Sequence, residues 1–380
     1  GVLWAAADAV VLAARQMRVL HVSPLAFGTG GVVGGGERYP LELARAMARV
    51  TDTRLVTFGQ QQIMRDGALR VTSYRPLGYV GRKQLGPVHP SLAVEMAWAD
   101  VVHCHQLQTF LADQCVLLGR LLRKPVFLTD HAGGDRHFNR RLRTVEGAAG
   151  LLLVSHFNAR GFSQHQAKVR VIHGGADTER FRPSGAPRRR TALYAGRLVP
   201  DKGIHHLIQG VLPQTTVRIA GAPYHDEYAS LLKRTATGRD VTFLGALHGD
   251  ALVHEYTTAG VAAMPSVETD IYGKRYPKSE ILGLMLLEAM ACETPLVCSA
   301  IGGMPELVAD GETGLIVPPG DSSALGEAVE ALLDDPARAR ALGEAGRRRV
   351  LEHFTWKAVA ERCVATYREL APKMRAERTT

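Results

Sequence analysis

The chain has 380 residues, enough for two domains of ordinary size, and its composition of 46% apolar and 22% charged residues is typical of a soluble globular protein. No apolar run reaches the roughly 20 residues that a membrane-spanning helix needs, so we expect no such helix. The net charge is +9, and clusters of basic residues are usually solvated faces. The functional alternatives are an anionic acceptor, an anionic membrane surface or nucleic acid, of which nucleic acid is the weakest because no known binding motif accompanies the charge.

Residues 1–16 precede the first clear strand, and we interpret them as an N-terminal extension, either a misassigned start site or a short apolar helix. A signal peptide is not indicated, because the segment lacks a basic leading region and Asp8 interrupts its apolar residues. The five cysteines are scattered, which favours reduced thiols in the core of a cytoplasmic protein. No spacing along the chain is typical of a metal site, so we predict no metal and no cofactor.

A predicted strand at residues 17–22 leads into a glycine-rich loop at residues 28–36 and a helical pattern that begins at Glu37. A glycine-rich loop between a strand and a helix is typical of phosphate or nucleotide binding. The spacing is not that of a dinucleotide fingerprint, since Val33 stands where the third glycine is needed. A surface loop without a ligand is the alternative interpretation.

Further apolar strands alternate with helical stretches and are predicted at residues 54–58, 70–74, 101–103, 126–129, 151–155 and 169–172. This alternation predicts a mostly parallel α/β sheet, at whose carboxyl edge ligands bind. His131 directly follows one of these strands, beside Asp130, Gly133 and Gly134. A single loop histidine is more often only solvated, so its position alone does not assign it a role.

Residues 184–190 are polar and contain a proline, which is the composition of a linker. They separate two predicted domains, residues 17–183 and residues 191–354. An amphipathic helix at residues 355–370 follows the second domain.

The second domain opens with a strand and the loop G-R-L-V-P-D-K-G, which carries Gly196, Arg197 and Lys202. An arginine can bind a diphosphate through two parallel hydrogen bonds, and a lysine adds a compact positive charge. Together they can neutralise a diphosphate without a metal ion.

Strong helix formers follow Gly283, which predicts a helix start at that residue. Glu280 would then lie in the incoming loop and Glu288 on the helix, so both carboxylates can face one ligand. The N–H groups of Gly283, Leu284 and Met285 would favour a phosphate at the helix N-terminus. A nucleotide-sugar, which carries a diphosphate and many hydroxyl groups, fits this arrangement.

Downstream, a predicted buried strand at residues 296–299 ends at a turn with two adjacent glycines, Gly302 and Gly303, within G-G-M-P-E. The carboxylate pair, this turn and the G-R-L-V-P-D-K-G loop together resemble the donor site of retaining glycosyltransferases of the GT4 family. The resemblance covers residues 17–370 and is strongest in the second domain. It implies the GT-B architecture, in which two Rossmann-like domains with parallel sheets face each other across a cleft.

In this family the first domain binds the acceptor and the second binds the nucleotide-sugar donor. The resemblance places Gly35 and Gly36 at a helix N-terminus that faces the donor diphosphate, and Gly245 before a loop that holds the nucleobase. It carries His131 over as the histidine that reaches the donor sugar, while His103 and His105 either line the acceptor pocket or fill the core. It also implies that residues 355–380 fold back onto the first domain.

The resemblance therefore predicts a retaining transferase that moves a hexosyl unit to a hydroxyl group of a sugar, glycan, lipid or small molecule. Arg197 and Lys202 would stabilise the departing diphosphate, Glu280 would hold sugar hydroxyls and Glu288 the ribose. Peripheral contact with the inner face of a membrane is a further expectation from the basic clusters. The alternatives are an isomerase of the nucleotide-sugar 2-epimerase type and a binding protein without catalysis.

Three departures from the family pattern lie around the predicted donor site. Leu282 replaces a usual phenylalanine, Glu293 replaces a usual glycine after the helix, and the loop at residues 267–279 is longer than usual. None of them removes a charged contact to the donor, but the loop is where substrate specificity could differ.

Overall fold

The computed structural model describes residues 17–24, 35–81, 85–131 and 142–377. The chain divides into two compact units, of which the first comprises Gly1–His173 and Trp356–Thr380 and the second Gly174–Thr355. Each unit contains a largely parallel β-sheet with helices packed against it.

The strands of the first unit are β1 (Arg18–Val22), β2 (Asp52–Phe58), β3 (Gln62–Asp66), β4 (Leu69–Tyr74), β5 (Gly78–Tyr79), β6 (Pro87–Val88), β7 (Val101–His105), β8 (Val126–Thr129), β9 (Gly150–Leu153) and β10 (Val169–Val171). Its helices before the second unit are α1 (Gly35–Met47), α2 (Ser91–Trp98), α3 (Phe110–Leu121), α4 (Thr144–Gly147), α5 (His156–Ala159) and the 3₁₀ segment Arg160–Lys168.

Eight of these strands form one sheet in the order β10-β9-β8-β7-β1-β2-β4-β3, and β5 pairs with β6 separately. All neighbours in the large sheet are parallel except the edge strand β3, which runs antiparallel to β4. The central strands β7 and β8 are buried along their whole length. Such continuous burial is expected where helices cover both faces of a parallel sheet.

The strands of the second unit are β11 (Thr191–Ala195), β12 (Thr216–Ala220), β13 (Val241–Gly245), β14 (Val261–Met264), β15 (Leu296–Ser299) and β16 (Leu315–Val317). Its helices are the 3₁₀ turn Pro200–Lys202, α6 (Ile204–Gly210), α7 (Asp226–Thr235), α8 (Gly249–Thr258), α9 (Leu284–Ala291), α10 (Met304–Leu307), α11 (Ser322–Asp334) and α12 (Pro336–His353).

The second sheet has the order β13-β12-β11-β14-β15-β16, and every neighbouring pair is parallel. Its core combines residues of β11, β12 and β14 with apolar residues of α6 and α11, including Tyr194, Ile219, Leu207 and Val329. Because the pairs are parallel, the carboxyl ends of all six strands lie along one edge of the sheet.

The last helix, α13 (Trp356–Glu377), belongs to the first unit. The Tyr367 hydroxyl lies 2.7 Å from Nδ1 of His103, and the Trp356 ring lies 5.0 Å from that of Tyr39 in an edge-to-face arrangement. Its apolar face therefore completes the core of the first unit.

The predicted α/β class with two sheets is confirmed, and the predicted strands match the observed ones closely. Strands β3, β5, β6 and β16 were not predicted. The β3 sequence Q-I-M-R-D is largely exposed and lacks an apolar alternation, and the other three strands have only two or three residues each. Residues 174–183 lie in the second unit, although the linker was predicted only at residues 184–190. Within that unit, the Ala176 N–H donates to the Phe354 carbonyl at 2.8 Å.

Among the described residues, no helix has both the length and the apolar character needed to cross a membrane. The five cysteines are all buried as free thiols. Burial raises the pKa of Cys292, Cys298 and Cys363 to about 12 each, so these thiols stay protonated and unreactive.

Candidate functional site

The carboxyl edge of the six-stranded sheet gathers most of the predicted site residues. Gly196, Arg197 and Lys202 lie in the loop after β11, and Gly245 is the last residue of β13. The long loop after β14 carries Glu280 and ends at Gly283. The structure therefore brings segments far apart in sequence to one edge, where ligands of parallel α/β sheets bind.

The helix α9 begins where the sequence predicts. Gly283 is its N-cap residue with φ of 94°, a left-handed conformation that favours glycine. Leu284 and Met285 form the first turn, and Glu288 lies one turn further on with only 4% of its surface exposed. The positive end of the helix dipole thus lies next to Glu280 in sequence.

The turn at Gly302 and Gly303 fixes the backbone of Glu280. The Gly303 N–H donates to the Glu280 carbonyl oxygen at 3.0 Å. A Cβ atom on Gly302 would lie 1.6 Å from that same oxygen, and φ at Gly302 is +62°. Only glycine permits this approach, so the turn acts as a support for the carboxylate-bearing loop.

An ion pair joins Lys202 and Glu280, two of the three predicted catalytic residues of this edge. The Lys202 ammonium contacts Oε2 of Glu280 and also donates to the Ser279 carbonyl at 3.4 Å. The two charged side chains are only 10% and 11% exposed. The sequence suggested both residues but not their contact, which joins positions 78 residues apart.

The loop before Glu280 is tied to Asp201, the neighbour of Lys202. The Val267 N–H donates to the Asp201 carbonyl at 2.9 Å, and the Ser279 hydroxyl donates to the same oxygen at 3.3 Å. Inside the loop, the buried Asp270 accepts from the N–H groups of Tyr272 and Lys274 at 2.9 Å each. These bonds fold the segment on itself and tie both of its ends to Asp201.

Arg197 differs from Lys202 because its side chain is exposed. Its guanidinium lies 5.9 Å from the centre of the Tyr224 ring, and the Tyr194 hydroxyl donates to its carbonyl at 2.9 Å. The backbone at Gly196 is held by a bond from its N–H to the Ala220 carbonyl at 2.9 Å. Arg197 thus combines a fixed backbone with a side chain that can reach an anion in solvent.

Glu288 has a partner that the sequence analysis missed. The Tyr256 hydroxyl, on α8, donates to Oε2 of Glu288 at 3.2 Å, and both side chains are buried. Nothing in the sequence indicated this contact, since Tyr256 and Glu288 are 32 positions apart along the chain. Gly245 has φ of +70°, and its carbonyl accepts from the Gly221 N–H at 2.7 Å.

In the first unit, α1 begins at Gly35, so Gly35 and Gly36 are its first two residues. Most of the preceding glycine-rich loop, residues 25–34, lies outside the described residues, as do Gly133 and Gly134. His131 directly follows β8 and is partly exposed. Burial lowers its pKa to about 4, against the opposing effect of Asp130.

His131 is one end of a cluster of four histidines. His105 Nδ1 lies 3.2 Å from His131 Nε2, and His105 Nε2 lies 3.0 Å from His21 Nδ1. His103 stacks on His105 with ring centres 4.4 Å apart. His21, His103 and His105 are fully buried, so the core interpretation of His103 and His105 is the correct one.

Neither His21 nor the histidine cluster was predicted from the sequence. The register of β1 and β7 places His21 directly beside His103. Ring nitrogens of His21, His103 and His105 lie within 4.8 Å of one another, a spacing that a metal ion could use. The alternation V-V-H-C-H in β7 was the available signal, but only strand pairing brings the third histidine to it.

Comparison with known proteins identifies the family. The description "Glycosyltransferase Family 4" matches residues 33–180, and "Glycosyl transferases group 1" matches residues 176–349. A glycogen synthase of Mycobacterium tuberculosis is 31% identical over 305 residues, which cover 73% of this chain and 70% of the relative. The chain belongs to glycosyltransferase family 4. The predicted family is therefore confirmed.

A further relative matches a smaller share of the chain, and two solved structures match a larger one. An α-maltose-1-phosphate synthase of Mycolicibacterium smegmatis is 34% identical over 231 residues, which cover 54% of this chain and 57% of the relative. Among solved structures, sucrose-phosphate synthase of Thermosynechococcus elongatus superposes with a TM-score of 0.71 at 25% identity, covering 93% of this chain and 99% of its own. Anabaena HepE, with UDP and glucose, matches at 0.72 and 20% identity, covering 93% and 100%. The fold is that of the GT-B glycosyltransferases.

We predict that Gly302→Ala displaces Glu280 and abolishes most glycosyltransferase activity. The left-handed φ and the clash with the Glu280 carbonyl should together destabilise the second unit by about 3 kcal/mol. Urea unfolding and activity assays on the folded fraction measure both effects.

Gly311→Ala is the matched control for Gly302→Ala. Gly311 has a similar φ of +74° but no atom within 4 Å of an added Cβ. It should lose only about 1 kcal/mol and keep its activity. Equal losses in the two variants would show that the turn does not support Glu280.

Proposed function

We propose that this family 4 enzyme is a retaining transferase that moves a hexosyl unit from a nucleotide-diphosphate sugar to an acceptor hydroxyl. The observation that carries the proposal is the buried Lys202–Glu280 ion pair at the sheet edge where Arg197 and the N-terminus of α9 also lie. Positive groups suit a diphosphate, and a fixed carboxylate suits sugar hydroxyls.

The names of relatives support a nucleotide-sugar donor. One relative in Mycolicibacterium smegmatis is a GDP-mannose-dependent mannosyltransferase, and the solved Anabaena protein binds UDP-glucose. These names differ in base and sugar, so the proposal extends only to the donor class.

In the proposed reaction, Arg197, Lys202 and the first-turn N–H groups of Leu284 and Met285 stabilise the departing diphosphate. Glu280 accepts hydrogen bonds from sugar hydroxyls, and Glu288 from the ribose. Gly196, Gly245, Gly302 and Gly303 shape the backbone around the donor, while Gly35 and Gly36 present a helix N-terminus to the diphosphate.

The proposed chemistry is a front-face attack. The acceptor oxygen bonds to the anomeric carbon as the bond from that carbon to the phosphate oxygen breaks. The same phosphate oxygen takes the acceptor proton, so configuration is retained without a covalent enzyme intermediate. Glu280 is already paired with Lys202, which disfavours it as a nucleophile, and His131 positions the sugar.

The direct test is a mass-spectrometric screen of nucleotide-sugars with and without pools of acceptors. We expect release of a nucleoside diphosphate and a glycosylated product whose anomeric configuration matches that of the donor. Conversion of a nucleotide-sugar to an epimer in the absence of any acceptor would instead favour an isomerase.

Removal of either positively charged side chain should reduce catalysis strongly. We predict that Arg197→Ala and Lys202→Ala each lower turnover by about 100-fold, the scale of losing one charged contact in the transition state. Arg340→Ala removes a charge from an exposed position on α12 and should leave turnover unchanged. Near-normal turnover in the Arg197 or Lys202 variant would contradict the proposed diphosphate site.

The two glutamates should separate by their effects on binding. Glu280→Gln should impair sugar transfer and largely spare binding of the free nucleoside diphosphate, whereas Glu288→Gln should weaken that binding itself. Isothermal titration calorimetry with the nucleoside diphosphate measures the difference. The two variants are controls for each other, and the same loss of affinity in both would show that the roles are misassigned.

Activity should survive excess chelator and should not rise with Mg²⁺ or Mn²⁺. The sequence has no Asp-x-Asp pair, and the adjacent Asp334 and Asp335 have structural partners. Asp334 pairs with Arg190 at 2.5 Å, and Asp335 caps α12 by accepting from the Arg338 N–H at 2.9 Å. Loss of activity in EDTA with recovery by one equivalent of a divalent ion would contradict this prediction.

A further inference from the structure

The histidine cluster of the first unit contains a continuous hydrogen-bonded chain that ends at His131. Its links are His21 Nδ1 to His105 Nε2 at 3.0 Å and His105 Nδ1 to His131 Nε2 at 3.2 Å. His103 lies beside this chain but is bonded elsewhere, to the hydroxyls of Thr129 and Tyr367 at 2.7 Å each. The chain therefore has three members and runs from the buried His21 through His105 to His131.

Loss of solvent contact keeps all members of the chain uncharged, although His131 is only partly buried whereas His21 and His105 are fully buried. It lowers the pKa of His21 to about 3 and that of His131 to about 4, and it lowers the pKa of His105 well below the ordinary range of a histidine. A neutral imidazole carries one N–H and one acceptor nitrogen. Three such rings in series can therefore be arranged in only two ways.

In the outward arrangement, His21 donates to His105 and His105 donates to Nε2 of His131. The proton of His131 must then reside on Nδ1. In the inward arrangement every bond is reversed, so His131 donates through Nε2 and its Nδ1 is an acceptor. The two arrangements present opposite groups to any ligand near His131.

The His21 end of the chain decides between the outward and inward arrangements. Nε2 of His21 is buried and has no hydrogen-bond partner among the residues that the structure describes. In the inward arrangement this atom would be a buried N–H without an acceptor, and in the outward one a buried lone pair. Orphaned buried N–H groups are the rarer of the two in proteins, so the outward arrangement is favoured.

We propose that His105, backed by His21, is a positioning residue that holds His131 in the Nδ1–H tautomer. His131 then offers its ligand a neutral hydrogen-bond donor. Given the proposed function, that ligand is the hexosyl donor, and the Nδ1–H group binds a hydroxyl oxygen of the sugar. The sugar hydroxyl keeps its own proton free for an acceptor such as a carboxylate.

The tautomer is measured directly on full-length protein labelled with ¹⁵N-histidine, by two-bond ¹⁵N–¹H correlation spectra. His131 is assigned by its loss in His131→Gln. We expect a protonated Nδ1 and an unprotonated Nε2 in the wild type. A protonated Nε2 at His131 in the wild type would overturn the proposal, and this measurement needs no variant of His105 to fold.

The role of His105 is tested by three variants. His105→Phe keeps an aromatic ring but removes both nitrogens, so His131 should shift toward the Nε2–H tautomer that free histidine prefers in water. His105→Asn keeps an N–H near the position of Nδ1 and should restore the wild-type tautomer in part. His103→Phe is equally buried on the same strand but lies outside the chain, and it should leave His131 unchanged.

Turnover should follow the tautomer. We expect a loss of about 10- to 100-fold in His105→Phe, partial recovery in His105→Asn and little change in His103→Phe, by analogy with other residues that orient a functional histidine. An unchanged His131 spectrum in His105→Phe would overturn the proposal. So would a stoichiometric zinc ion whose removal shifts the signals of His21, His103 and His105. The tautomer of His131 can be measured even if the protein transfers no sugar. Failure of the proposed function would therefore be recognised separately from failure of this proposal.

Discussion

The buried contact between Lys202 and Glu280 is the interaction on which the second unit's site depends. Moving both charges out of water is costly, and their attraction roughly offsets that cost rather than stabilising the fold outright. Loss of one partner leaves an uncompensated charge and costs about 3–5 kcal/mol. Because the pair does little for net stability, the structure around it is best understood as serving its position.

That structure holds the pair from three directions. The Gly302–Gly303 turn lies against the Glu280 backbone, and Asp201 ties both ends of the preceding loop next to Lys202. The helix α9 leaves immediately afterwards, so its positive end is fixed relative to the carboxylate. The first unit differs, since His21 and His105 are buried without charge and hydrogen bonds link His105 to both His21 and His131.

Local signals in the sequence predicted much of this edge. Gly283 marked the helix start and Gly302 marked the turn, because each adopts a left-handed φ that favours glycine. Glu293 shows the limit of such signals. It stands where the family usually has glycine, yet it keeps the left-handed φ of 58° that glycine would adopt freely. The chain thus retains the helix ending without the residue that best suits it.

Contacts between distant segments could not be predicted in the same way. The Lys202–Glu280 pair, the Tyr256–Glu288 bond and the contact of His21 with His105 join positions 78, 32 and 84 residues apart. Each depends on strand order and register, which a single sequence leaves open. The family resemblance indicated the charged residues of the edge, but it named no partner for them and gave no sign of the histidine chain.

The assignment of α13 to the first unit has a consequence for biosynthesis. The ribosome completes residues 174–355 before it releases the helix that supplies Tyr367 to His103. The second unit can therefore acquire its own core while the first is still missing a packed layer. Until that helix emerges, the apolar surface that it covers stays exposed on the nascent chain. The first unit is therefore synthesised first but completes its core last.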